Sequence, residues 1–250
     1  MIKFFRKIRQ RLLTENKFSK YLLYAIGEII LVVIGILIAL QINNWNEQRK
    51  QNRNLRDLYS NLLLDIKADS VSYSTNLKEL KGIDFLHEQL YKTGVKNDTT
   101  IVLKNPNSLR YLIYYNPITK ENDPFIASKI INDSIRKEVL TYFRNMKDMD
   151  DVYSELNDII KTKMRVYLGN KKMYKLKNWF ENKTKNTALG DLSYDFINNA
   201  ELIALSKEVE FQQILFEASL KIVNNIDVLE ILITQNANLI RVIENELNKK

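Results

Sequence analysis

An all-α fold, an N-terminal transmembrane helix followed by an antiparallel helical bundle, is predicted by three features of this sequence. Tyr21–Ile42 holds fourteen Leu, Ile or Val in 22 residues, with Glu28 as its one charge. Apolar residues recur at alternating spacings of three and four through three long later stretches, the period of a helix face. Only six Gly and three Pro interrupt 250 residues. These features divide the chain into a basic segment (1–20), a span (21–42) and a helical domain (43–250).

The span comes first in the argument. At about 1.5 Å per residue it covers ~33 Å, enough for a hydrocarbon core of ~30 Å. Each aliphatic residue favours insertion by ~0.3–0.6 kcal/mol, and one acid opposes it by ~2.5–3.5 kcal/mol. Fourteen small gains outweigh Glu28. The apolar run is too long for a cleaved signal peptide, and no small-residue cleavage site follows it, so an uncleaved signal anchor is expected.

Charge supports this placement. The net +8 divides into +6 over residues 1–20, −1 from Glu28 and +3 over residues 43–250. The basic excess therefore sits beside the span, where anionic lipid headgroups attract it. Lys3, Arg6, Lys7, Arg9 and Arg11 surround Met1, Phe5, Ile8 and Leu12 at helical spacing. Both a helix lying in the headgroups and a disordered basic tail that sets topology fit this segment. Seven Lys/Arg precede the span within 20 residues and four follow it. The bias predicts an inner-membrane protein with a cytoplasmic N-terminus and residues 43–250 in the periplasm. Trp45, among Asn43, Asn44 and Asn46, is placed as an interfacial anchor.

On a helical wheel of about 100° per residue, Gly35, Ala39 and Asn46 fall within about 20° of Glu28. Small residues at this spacing let helices approach closely, and an acid in lipid seeks a partner. Glu28, Gly35 and Ala39 are thus candidates for association with a second copy or another membrane protein. The alternative is an acid that snorkels beside two ordinary small residues.

Past the span, Leu55, Tyr59, Leu62, Ile66, Tyr73, Leu77 and Leu80 make a core-facing stripe that Ile83, Leu86 and Leu90 extend to about Tyr91. Ala68-Asp69-Ser70 and Gly82 are expected points of weakness. From Thr93 to Pro124 breakers dominate, including Asn97-Asp98, Asn105-Pro106 and Asn116-Pro117. Within this region Ser108–Tyr115 is expected to be a short capped helix. Phe125–Ile131 reads as another, and Asn132 or Asp133 caps a long helix from Ile135 through Val166 that Gly169 ends. Residues 170–192 are basic and turn-rich, anchored by Trp179 and Phe180. Asp195 is expected to cap a short helix through Ser206. A last helix from about Lys207 carries Phe211, Leu215, Ala218, Ile222, Leu229, Leu232, Leu239, Ile243 and Leu247, and its asparagines exclude a second span.

Chemistry is sparse. One His (His87) and no Cys argue against a zinc or copper site and a His-based triad. His87 reads as a surface or packing residue. Six scattered glycines form no phosphate loop. Asp148, Asp150 and Asp151 lack calcium-loop spacing and read as a solvated surface. The Lys171–Lys185 stretch, with Tyr174, Trp179 and Phe180, suits lipid headgroups or a solvated connection better than nucleic acid. No cofactor, no nucleic acid and no catalytic residues are expected.

The runs Lys3-Phe4-Phe5-Arg6-Lys7-Ile8-Arg9, Ala25-Ile26-Gly27-Glu28-Ile29 and Ile34 through Glu47 resemble the uncharacterised single-pass membrane proteins of Bacteroidota classed as a domain of unknown function. The resemblance is specific over residues 1–50. It implies a bacterial membrane protein and carries no ligand residues. A membrane-anchored, non-enzymatic interaction or accessory protein is the expected function. The alternative is a ligand-sensing bundle that signals through a partner.

Overall fold

The computed structural model describes residues 18–182 and 197–249. Residue Asp195 and the basic segment carrying Lys3, Arg6, Lys7, Arg9 and Arg11 lie outside them. Helix α1 is Phe18–Gly94, a single uninterrupted helix of 77 residues. A 3₁₀ turn at Pro106–Arg110 follows, then α2 (Ile118–Asn122), α3 (Ile126–Lys129) and α4 (Asp133–Ile159). A π-helical turn, Ile160–Met164, joins α4 to α5 (Arg165–Asn170). The remaining helices are α6 (Leu176–Asn182), α7 (Asn199–Leu205) and α8 (Val209–Leu247). No strand occurs among the described residues; Tyr174 and Ile197 form an isolated antiparallel bridge. The chain divides into two compact units, residues 1–58 and 59–250.

The first unit is the apolar half of α1. An 18-residue window there meets the length and composition of a bilayer-crossing helix, and none of it is buried. Leu23 and Leu31 are 75% and 70% exposed.

The second unit is the predicted antiparallel bundle, built from the later half of α1, α4 and α8. Each presents a stripe spaced alternately by three and four. In α4 the stripe is Ile135, Val139, Tyr142, Met146, Met149, Tyr153 and Leu156, all buried. In α8 it runs from Phe211 to Ile243. Each fully buried Leu or Ile contributes about 1.5–3 kcal/mol. Helix α8 runs antiparallel to both partners: Lys67 and Lys81 of α1 pair with Glu244 and Glu230 at 2.6 and 2.7 Å, and Lys221 pairs with Glu155 of α4 at 2.5 Å.

Four expectations need correction. The Ala68-Asp69-Ser70 patch and Gly82 neither bend nor break α1. Asp69 is fully buried, and hydrogen bonds to Ile118 and Thr119 compensate it. Ser108–Tyr115 is not a helix: the 3₁₀ turn ends at Arg110, and Tyr111 turns extended. Val166 is 51% exposed: six residues past Ile160 it falls off the stripe, which Met164, Tyr167 and Leu168 continue inward. Phe180 is likewise 62% exposed rather than an internal anchor.

The breaker signals at Asn97 and Asn105 are where the backbone turns left-handed, with φ of 56° and 49°, which asparagine tolerates. Asn132 caps α4, accepting from the Ser134 and Ile135 amides. Asn198 caps α7 through the Ala200 amide.

Residues 95–132 do not wander between helices. They run back along α1 as a strap, and polar side chains hold them at successive levels. Gln89 donates to the Val102 carbonyl and accepts from the Lys104 amide, both at 2.9 Å. Asn76 donates to the Tyr114 carbonyl at 3.1 Å, Asp69 accepts the Ile118 amide at 2.6 Å, and Asp65 accepts from Asn122 at 2.9 Å. From α4, Asn157 accepts the Ile113 amide and donates to its carbonyl. Extended backbone without a neighbouring strand must find partners elsewhere. Here side-chain amides and carboxylates of the helices supply them.

Candidate functional site

Helix α1 brings Glu28, Gly35 and Ala39 onto one face, as the wheel predicts. Gly35 and Ala39 are exposed and Glu28 is half-exposed. A methyl group on Gly35 would meet nothing within 4 Å, so that face is open to close approach. Trp45 is 60% exposed, with the Arg49 guanidinium 5.8 Å from its ring centre.

The second unit holds a polar cluster that the pattern of apolar residues concealed. The Tyr142 hydroxyl donates to Asp69 at 3.3 Å and accepts from Asn236 Nδ2 at 2.9 Å. Because its proton goes to Asp69, the Tyr73 hydroxyl 3.1 Å away is the donor in their contact. Tyr142 is thereby saturated. Asn236 also donates to the Ile66 carbonyl at 2.9 Å, so one amide ties α8 to both other long helices. Thr119 donates its hydroxyl to Asp69 at 2.6 Å and its amide at 3.3 Å. Burial pushes the Asp69 carboxyl up from the usual range, against four hydrogen bonds that pull it down. Burial also raises Tyr73, reinforced by the neighbouring Tyr142. Tyr73, Tyr115 and Tyr153 stack in succession, with ring centres 5.9 and 5.3 Å apart.

The second feature is a cavity of about 350 Å³ between the end of α1 and the start of α8. Its walls include Asp84, His87, Leu90, Gln212, Leu215 and Phe216. Of the two readings of His87, surface or packing, the structure has the second: it is buried, and its Nδ1 has no hydrogen-bond partner. Burial alone pulls its pKa down to about 4, so the imidazole is neutral at pH 7. The cavity adjoins the apolar floor of the bundle, where Leu86, Leu109, Met164, Leu168, Ile197 and Leu202 meet. Gly94 closes this end of α1: a Cβ there would lie 2.0 Å from the Ser206 carbonyl oxygen.

Sequence reasoning missed Asp69 and Asn76 as inward-facing groups and left His87 between surface and packing, although a signal existed. Continuing the three-four alternation from Leu62 and Ile66 reaches 69, 73, 76, 80, 83, 87, 90 and 94 without a break. Asp69, Asn76, His87 and Gly94 occupy stripe positions. In α8, Asn225 and Asn236 do the same. Among the described residues no group of three or more His, Cys, Asp or Glu could hold a metal ion. Asp150 pairs with Lys120 at 2.6 Å.

Fold and site together define a helical protein with one long apolar helix and a bundle stapled by buried polar side chains. Residues 28–101 match a family of unknown function (DUF6090). That stretch runs from Glu28 through α1 into the strap, and shares only residues 28–50 with the resemblance over 1–50. No curated protein and no solved structure matches the chain.

Proposed function

We propose that this chain is a single-pass protein of the bacterial inner membrane, of the kind found in Bacteroidota, that presents its bundle in the periplasm as a non-enzymatic interaction or accessory module. One observation carries the reading: no residue of the 18-residue apolar window of α1 is buried within the chain. Water would oppose that exposure, and lipid satisfies it. The Lys/Arg bias supports the orientation. Lys3, Arg6, Lys7, Arg9 and Arg11 then rest on anionic headgroups, and Trp45 marks the opposite interface. The Glu28, Gly35 and Ala39 face meets a second copy or another membrane protein. An interaction role suits a bundle whose buried Asp69, Asn76, Gln89 and Asn236 are engaged in holding backbone and neighbouring helices.

The test joins membrane extraction with topology. The chain should resist alkaline carbonate extraction, and a phosphatase fused after Lys250 should be active. A reporter active only in the cytoplasm overturns the orientation, and release by carbonate overturns the anchor. Photo-crosslinkers at positions 35 and 39 should capture protein, less so in Glu28→Gln; lipid adducts alone would leave α1 a plain anchor.

A second reading, a ligand-sensing bundle that signals through a partner, is favoured by the cavity at His87 and its unpaired Nδ1.

A further inference from the structure

The cavity between α1 and α8 carries an inference about ligand chemistry, which rests on the ligand-sensing reading and not on membrane placement. Its volume of about 350 Å³ falls in the range of small-molecule pockets, about 300–1,000 Å³. Leu90, Leu215 and Phe216 supply an apolar wall. Two polar groups among them lack partners. His87 is 4% exposed and its buried Nδ1 makes no hydrogen bond. Asp84, one turn earlier on the same face of α1, is half-buried.

The charge of the walls is one-sided. They include the carboxylates of Asp84 and Glu88 and no Lys or Arg. Glu88 pairs with Lys92 at 2.6 Å. Asp84 has no such cation; burial, and then the charge of Glu88, hold its carboxyl above the usual range. A half-buried carboxylate repelled by its neighbour is stabilised by an incoming positive charge. An ammonium group supplies that charge, with N–H bonds to a carboxylate that are charge-assisted, and the neutral His87 ring beside it adds no competing positive charge. An anion would meet only repulsion, and a neutral alcohol would leave Asp84 uncompensated.

We propose that this cavity binds a small primary amine with an apolar body, its ammonium held by Asp84 beside the His87 ring and its body packed on Leu90, Leu215 and Phe216. The site selects charge at the α1 wall and shape at the α8 wall.

Titration calorimetry on the full-length chain in lipid nanodiscs at pH 7.5 tests this, with phenethylamine and its neutral counterpart 2-phenylethanol as probes. Phenethylamine should bind saturably and at least ten-fold more tightly than the alcohol. Asp84→Asn, nearly isosteric, should weaken the amine at least ten-fold and leave the alcohol unchanged, with the melting curve of the variant confirming its fold. Should that variant not fold, Ser219→Leu, which narrows the cavity from α8, should weaken the amine by a similar factor. Absence of phenethylamine binding at millimolar concentration overturns the proposal, as do equal affinities for the two probes or an amine affinity untouched by either variant. Carbonate extraction and the topology reporter read the anchor separately, so the two ideas fail independently.

Discussion

Asn157 holds Ile113 by both backbone groups: its Oδ1 accepts the Ile113 amide at 3.1 Å and its Nδ2 donates to the Ile113 carbonyl at 2.9 Å. A side-chain amide here does what a neighbouring strand would do. Replacing it with Ala strands two backbone groups of the strap. The expected loss in denaturant unfolding is about 2 kcal/mol, and the Ile113 amide should exchange with solvent faster than amides in α4. Unchanged exchange at Ile113 would mean the strap is held elsewhere.

Asp69 accepts from Ile118, Thr119 and Tyr142 while fully buried. Asp69→Ala leaves these donors facing a void. It should cost about 3 kcal/mol or more and open the strap to protease near residues 113–123. Equal protease resistance in variant and parent would show that the strap does not depend on this carboxylate.

Tyr142 and Asn236 share one hydrogen bond at 2.9 Å between α4 and α8. In a double-mutant cycle of Tyr142→Phe with Asn236→Leu, the coupling should be about 1 kcal/mol. Strict additivity would assign Asn236 entirely to its bond with the Ile66 carbonyl.

His87 makes the bundle acid-sensitive. Its pKa falls from 6.5 in the unfolded chain to about 4 when buried. Between those values the unfolded chain binds a proton that the folded chain refuses, so stability is full above pH 6.5 and declines as pH drops toward 4. The span corresponds to about 3 kcal/mol. Asp69 and Asp84, whose folded pKa values are raised, act in the opposite sense. They are common to parent and variant, so the comparison isolates His87. The stability difference between His87→Leu and parent should shift in the variant's favour by about 3 kcal/mol from pH 7 to pH 4; a constant difference would mean the folded imidazole titrates normally.

Two glycines of α1 should respond oppositely to alanine. At Gly82 a Cβ meets nothing within 4 Å, and Gly82→Ala should stabilise by about 0.5–1 kcal/mol through helix propensity. At Gly94 the same atom strikes the Ser206 carbonyl oxygen at 2.0 Å, and Gly94→Ala should destabilise by about 2–3 kcal/mol. Thermal melts of the two variants check both signs.

The helical stripes were legible because burial of an apolar face repeats with the helix itself: Leu62, Val139 and Leu229 fall where spacing puts them. The strap was not. Its structure depends on Asp69, Asn76 and Asn157 reaching segments 38 to 50 residues away in sequence, and no local pattern encodes such partners. The π turn at Ile160–Met164 escaped for a related reason. Its residues look like ordinary α-helix, and the buried stripe passes through Ile160, Met164 and Tyr167 at ordinary helical spacing. The cavity at His87 was hidden because its two walls, one from the end of α1 and one from the start of α8, lie far apart in sequence.

That separation bears on how the protein is made. The amide of Asn236 reaches the Ile66 carbonyl across 170 residues, and Lys67 meets Glu244 across 177. During synthesis, α1 and its strap emerge long before α8 exists to cover their third side. Closing so wide a loop is slow relative to pairing neighbours along the chain. A nascent chain stalled short of Val209 would therefore display Leu62, Ile66 and Leu80 to its surroundings. Chaperones and proteases should distinguish complete from incomplete copies by that one uncovered side.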